Sequence, residues 1–154
     1  MSTESQRIQH IHKYLADKDI IKWKIRSDFT AGTPDAYYCG NIGSLWIEYK
    51  SIKSYPKKGI IIPKLSKLQS QWLNKQYYFE ENVWVVVLGP ERKHFIFHNP
   101  QLWENGIHIK QELCIGYTNL AKFILNEIHS PDPLKKLKKI KLKPSKNYEL
   151  ILNG

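Results

Sequence analysis

Two acids and one lysine stand out by type and spacing: Asp35, directly after Pro34, and Glu48 and Lys50 in Ile47-Glu48-Tyr49-Lys50. On a strand, residues two apart share a face. Glu48 and Lys50 then point one way, and Leu45, Ile47 and Tyr49 point the other way, into a core. Trp46 falls on the Glu48 face. A hairpin joining the segment opened by Asp35 to the one carrying Glu48 brings both carboxylates to one end of a sheet. Like charges on a nearly apolar hairpin resist burial. A divalent cation removes the conflict, since Mg²⁺ takes oxygen ligands and is often held by one or two carboxylates plus phosphate. A lysine beside such a site could orient or deprotonate a water.

The elements that must position these groups follow from periodicity. Thr3 and Gln6 have capping-box spacing, and Ile8, Ile11 and Leu15 form one stripe of a helix over residues 3–17. Glu4 lies four residues before Ile8 on that stripe. Residues 20–28 alternate as a strand, with Ile21, Trp23 and Ile25 on its apolar face. After the break AGTP at 31–34, DAYYC and SLWIEYKSI read as a hairpin turned by GNIG at 40–43. A basic loop from Pro56 to Pro63 precedes a helix over 66–79, capped by Ser66, with Leu68, Trp72 and Leu73 inward. VWVVVL at 83–88 is a fully buried central strand, and KHFIFH at 93–98 pairs with it after a GPER turn. Residues 100–117 read as irregular. Thr118 caps a last helix to about His129, with Leu120, Phe123, Ile124 and Ile128 inward. The expectation is α-β-β-β-α-β-β-α, a mixed sheet flanked by helices in the α/β or α+β class. It forms one domain over residues 1–130, followed by a basic extension over 131–154.

Charge adds a partner class. The 154 residues carry 24 Lys+Arg against 14 Asp+Glu, a formal +10. That excess favours a polyanion, nucleic acid first. Seven lysines crowd the tail, among them Lys135, Lys136, Lys138, Lys139, Lys141 and Lys143. With Lys57 and Lys58 of the basic loop they are candidate phosphate contacts. The same tail reads equally as a solvated surface segment.

Several chemistries are excluded or weak. No apolar run approaches the ~18 residues of a membrane span. The polar N-terminus lacks a secretory h-region. Two cysteines, Cys39 and Cys114, are too few for a disulfide framework or zinc cluster, so a reduced cytoplasmic protein is expected. His10 and His12 do not share a helix face, and His94 and His98 lack a third ligand. Phosphate-cradling and nucleophile-elbow glycine motifs are absent.

Pro34, Asp35, Glu48 and Lys50, with their spacing and the helix that follows, resemble the PD-(D/E)XK nuclease superfamily, with its restriction-endonuclease-like fold. The likeness covers roughly residues 3 to 98. It implies that Asp35 and Glu48 ligate Mg²⁺, with Mn²⁺ as a substitute and the Tyr49 carbonyl as a third ligand. Lys50 would position the attacking water. Glu4 matches a first-helix acid used near the metal in some members; its alternative is a dipole-stabilising first-turn acid. Gln69 matches a glutamine on the following helix, with Gln71 as competitor. The implied activity is hydrolysis of phosphodiester bonds in double-stranded DNA, leaving 5′-phosphate and 3′-hydroxyl ends. Size and layout are similar to small intron-encoded homing endonucleases, which implies sequence-specific cutting by a homo-oligomer, a dimer or higher. The run GTPD…IEYKS…LSKLQ also resembles Holliday-junction-resolvase and VRR-NUC-type nucleases. A non-catalytic nucleic-acid-binding module is the competing class.

Overall fold

Val83–Leu88, six apolar residues in a row, are buried throughout and form an interior strand of the sheet, one place from its centre. The computed structural model describes residues 2–25, 31–110 and 115–131. Their elements are α1 (Glu4–Lys13), β1 (Ile21–Lys24), β2 (Ala36–Cys39), β3 (Ser44–Ser51), β4 (Ile60–Ile61), α2 (Lys67–Tyr78), β5 (Val83–Leu88), β6 (His94–Phe97), α3 (Pro100–Asn105), β7 (Ile107–His108) and α4 (Tyr117–Ile128). Cys114 and the tail lysines Lys135, Lys136, Lys138, Lys139, Lys141 and Lys143 lie outside the described residues.

Five strands make a mixed sheet in the order β1-β2-β3-β5-β6. Only β3 and β5 pair in parallel; the other neighbours are antiparallel. A parallel pair cannot be closed by a tight turn, and the crossover over residues 52–82 carries α2. β4 and β7 form a separate antiparallel ribbon. Strand alternation sorts the core into two layers. Tyr38, Leu45, Ile47, Tyr49 and Val86 meet Ile8, Ile11 and Leu15 and the α4 residues Leu120, Ile124 and Ile128. On the opposite face Val83, Val85, Val87, Phe95 and Phe97 meet Leu73 of α2 and Trp103 of α3. Full burial of each such aliphatic side chain contributes roughly 1.5–3 kcal/mol, so the sheet is anchored from both sides. The result is the mixed α+β architecture expected, a five-stranded mixed sheet flanked by helices.

Two of the three predicted capping residues, Thr3 and Ser66, act as caps. Thr3 Oγ1 accepts from Gln6 N–H at 3.2 Å, and Gln6 Oε1 accepts from Thr3 N–H at 2.8 Å. Ser66 and Gln69 repeat the motif on α2. Four expectations need correction. β1 is present, but Ile21 and Trp23 are 50% and 61% exposed. Trp23 pairs with Tyr37 at the open edge of the sheet, on the face that α2 covers only further along. Leu68 and Phe123 are also exposed. On α2 the inward positions are Gln69, Trp72, Leu73 and Gln76, spaced i, i+3, i+4, i+7, and Leu68 falls about 100° off their centre. Phe123 is similarly displaced from Leu120, Ala121, Ile124 and Ile128. α4 starts at Tyr117 with Gly116 at the cap rather than Thr118. Finally, 100–117 is not simply irregular. Asn99 Oδ1 caps α3 through Leu102 N–H at 2.9 Å, Pro100 occupies its first turn, and β7 follows. The Asn-Pro start signal was present in the sequence.

Candidate active site

The β2–β3 hairpin positions both acids. Ala36 pairs with Ile47, so one further residue sets Asp35 opposite Glu48. Gly32 lets the chain reach this point. Its φ is +87°, and a Cβ there would lie 2.7 Å from the Leu68 carbonyl oxygen. Only glycine combines that backbone with such a close approach to the first turn of α2. Tyr49 N–H then donates to Asp35 Oδ2 at 2.7 Å, fixing the carboxylate. Beneath the hairpin, Tyr38 Oη and Tyr49 Oη lie 2.7 Å apart and His12 Nε2 lies 2.8 Å from Tyr38 Oη, which ties β2, β3 and α1 together.

Glu48 is only 2% exposed. Lys50 Nζ lies 3.1 Å from Glu48 Oε1 and also donates to Gln69 Oε1 at 3.1 Å. Gln69 Nε2–H donates to Glu48 Oε1 at 2.5 Å. The same Gln69 Oε1 accepts from the Ser66 N–H at 2.9 Å. The capping glutamine of α2 therefore bridges the acid and the lysine, and Gln71 is exposed instead. Glu4, half-buried at the start of α1, completes the neighbourhood.

All three carboxyls are held above their ordinary values. Burial pushes Glu48 up to about 7, with Asp35 adding to the rise and Lys50 opposing it. Asp35 is raised chiefly by burial, against the pull of the Tyr49 N–H and Lys50. Glu4 is raised by burial and then by Asp35, while the Ser51 backbone, Lys50 and Arg7 pull the other way. Glu48 and Glu4 thus feel the Asp35 charge across a poorly solvated gap. A divalent cation between Asp35 and Glu48 would relieve this strain. Among the described residues no three His, Cys, Asp or Glu side chains form a complete ligand set. The side-chain donors that could hold such a cation are the two carboxylates.

The structure thus brings Asp35, Glu48, Lys50 and Gln69 together, with Glu4 close enough to be felt. Lys57 and Lys58 are exposed in the loop before β4. His94 is buried against the Tyr117 ring, at 4.4 Å between centroids, while His98 is exposed.

A basic cavity of about 640 Å³ was not apparent from sequence, and Arg7, His10, Lys13, Lys53 and Arg92 line it, with Glu91 as its acid. Arg7 anchors it: Nε–H donates to Tyr117 Oη at 2.9 Å and the terminal nitrogens to the Leu88 and Gly89 carbonyls at 2.9 and 2.6 Å. Arg7 also reaches Ser51 Oγ at 3.4 Å, next to Lys50. These cations are scattered over the sequence, so no charge run announces them.

No protein-family model matches the chain, and no curated protein does. Among solved structures it is similar to the 1.6 Å structure of Archaeoglobus fulgidus Hjc, a Holliday junction resolvase from an archaeal hyperthermophile. The identity is 14% and the TM-score 0.48, covering 76% of this chain and 98% of that one. No helix among the described residues is long and apolar enough to cross a membrane.

Proposed function

We propose that this chain is a divalent-cation-dependent endonuclease that hydrolyses phosphodiester bonds in double-stranded DNA. The observation that carries the reading is the convergence of Asp35, Glu48, Lys50 and Gln69 at one end of the β2–β3 hairpin. Asp35 and Glu48, with the Tyr49 carbonyl, would hold the cation. When bound, it would supply charge neutralisation at the phosphate and lower the pKa of water. Lys50 aligns the attacking water, and Gln69 sets the reach of Lys50 and the orientation of Glu48. Arg7, Lys13, Lys53 and Arg92 offer cations for neighbouring phosphates, and Lys57, Lys58 and the tail lysines are further candidates. The described residues hold one such site, so cutting both strands calls for a symmetric pair of chains.

The test is conversion of supercoiled plasmid by wild type, Asp35→Ala and Lys50→Ala, with Mg²⁺ or EDTA, followed by end mapping. Wild type should nick only with the cation and leave 5′-phosphates, while both variants bind DNA and fail to cut. Undiminished nicking by Asp35→Ala overturns the reading, and DNA binding without any cleavage marks a non-catalytic module. Discrete bands from genomic DNA would identify sequence-specific cutting, and cleavage confined to branched DNA would identify the structure-specific alternative.

A further inference from the structure

One residue beyond the β2–β3 ladder, Asp35 and Glu48 face each other as a further rung would. The next rung on the same face is Tyr37 and Trp46, which are paired residues with ring centroids 4.6 Å apart. The two rungs are separated by roughly 7 Å, two residues of strand. The aromatic row continues in both directions. Trp23, paired with Tyr37 on β1, has its ring 5.9 Å from that of Tyr37. Trp72 of α2 stands 5.2 Å from Trp46. Trp23 is 61% exposed, which is costly for a ring that does nothing at its free face.

Trp23, Tyr37 and Trp46 floor a groove of about 580 Å³, and Ser44, Gln76 and Glu81 stand along it. Among the described residues its lining holds no lysine or arginine. In a chain of net charge +10, that local lack of cations matters. A groove that holds Glu81 and no cation repels a phosphate and accepts an uncharged ring. Aromatic platforms stack nucleobases with little regard to sequence. The Gln76 amide and Glu81 carboxylate offer hydrogen-bonding groups to a base edge. The cations lie elsewhere, on Lys50 and in the basic cavity beside Ser51. On this face the Asp35, Glu48 and Lys50 end is thus the phosphate-facing part and the aromatic groove the base-facing part, while the basic cavity lies on the α1 side of the sheet.

We propose that the Trp23–Tyr37–Trp46 groove receives an unpaired nucleobase flanking the scissile phosphate, so that the substrate is DNA with unpaired nucleotides beside the cut. A paired base is stacked within its duplex and cannot lay its face on a protein ring without being extruded. The substrate assignment rests on the nuclease reading above; the base-binding groove is tested separately from it.

The full chain is titrated in EDTA, at one fixed salt, against a fluorescent duplex containing a short unpaired bubble and its fully paired counterpart. Anisotropy reports binding. Wild type should prefer the bubble. Trp23→Ala should weaken bubble binding roughly tenfold or more while leaving the paired duplex unmoved, and Trp23→Phe should keep most of the preference. Equal bubble affinity for wild type and Trp23→Ala overturns the proposal, as does a loss shared by both duplexes. So does dissociation of an oligomer by Trp23→Ala in light scattering, which would make the groove a protein interface. Cleavage of the bubble with Mg²⁺ is scored in parallel. Cleavage with binding indifferent to Trp23 overturns the groove alone. Trp23-dependent binding with no cleavage of the bubble, of plasmid or of branched DNA supports the groove and overturns the nuclease reading alone.

Discussion

Replacing Glu48 by glutamine should stabilise the metal-free protein, by an amount that depends on pH. The Glu48 carboxyl is held at about 7 when folded, against an ordinary 4.5. The folded value is raised, so the proton is bound more tightly in the folded state. The stabilisation from that proton is fully present below about pH 4.5 and is lost as pH rises through about 7. At about 1.4 kcal/mol per pH unit, the gap amounts to about 3 kcal/mol. Wild type at pH 8 carries a buried anion beside Asp35, whereas the amide of the Glu48→Gln variant stays neutral. A glutamine oxygen can still accept from Lys50 and Gln69, and its amide group can donate toward Asp35. Glu48→Gln should therefore be more stable than wild type by about 3 kcal/mol at pH 8 and by under about 1 kcal/mol at pH 5. At this chain length the pH 8 gain corresponds to a melting shift on the order of 5–10 °C. The comparison must be between the two proteins, because His12 and His94 act in the opposite sense. Burial lowers both to about 4. Their neutral folded forms lose stability as pH falls below the ordinary 6.5, masking Glu48 in the wild-type profile alone. Urea unfolding in EDTA at pH 5 and 8 measures the difference. Equal stability at pH 8, or a gain that grows as pH falls, refutes the argument.

Two further expectations concern the groups that hold the site in place. Gln69→Ala removes the acceptor shared by Lys50 and Ser66 and the donor to Glu48. Misplacing these groups should slow single-turnover cleavage roughly 10–100-fold, and the lost cap should cost about 1 kcal/mol. Gln69→Glu should recover the cap but not the rate, because a third carboxylate then faces Glu48; a wild-type rate in either variant contradicts the bridging role. Gly32→Ala forces a left-handed backbone and a clash with the Leu68 carbonyl, and should lower stability by roughly 1–3 kcal/mol. An unchanged melting temperature would show that the turn before Asp35 is not held by that approach.

Much of the site's frame was legible in the chain because it depends on local signals. Period-two alternation around Glu48 and the turn at 40–43 are enough to place Asp35 opposite Glu48. Capping boxes at Thr3 and Ser66 mark two helix starts, and unbroken apolar character marks β5. What escaped depends on which surfaces meet. A leucine at position 68 looks more inward than a glutamine at 69, yet the sheet under α2 presents Glu48, and a polar partner wins the facing position. Trp23 has the pattern of a core residue, but whether a helix covers its strand is decided by packing far away in sequence. The cations around Arg7 are likewise assembled by the fold from α1, the segment after β3 and the turn after β5.

The double duty of the Gln69 carbonyl oxygen has a consequence for how the site forms. One atom receives both the Ser66 amide that starts α2 and the Lys50 ammonium. Helix nucleation is the costly step in building a helix. The lysine therefore gains this partner only once the first turn of α2 is wound. Fraying at that end would release the acceptor and the donor to Glu48 in the same event. Folding of one helical turn and arming of the lysine are then a single equilibrium, set by the helix that arrives with the crossover between the two parallel strands.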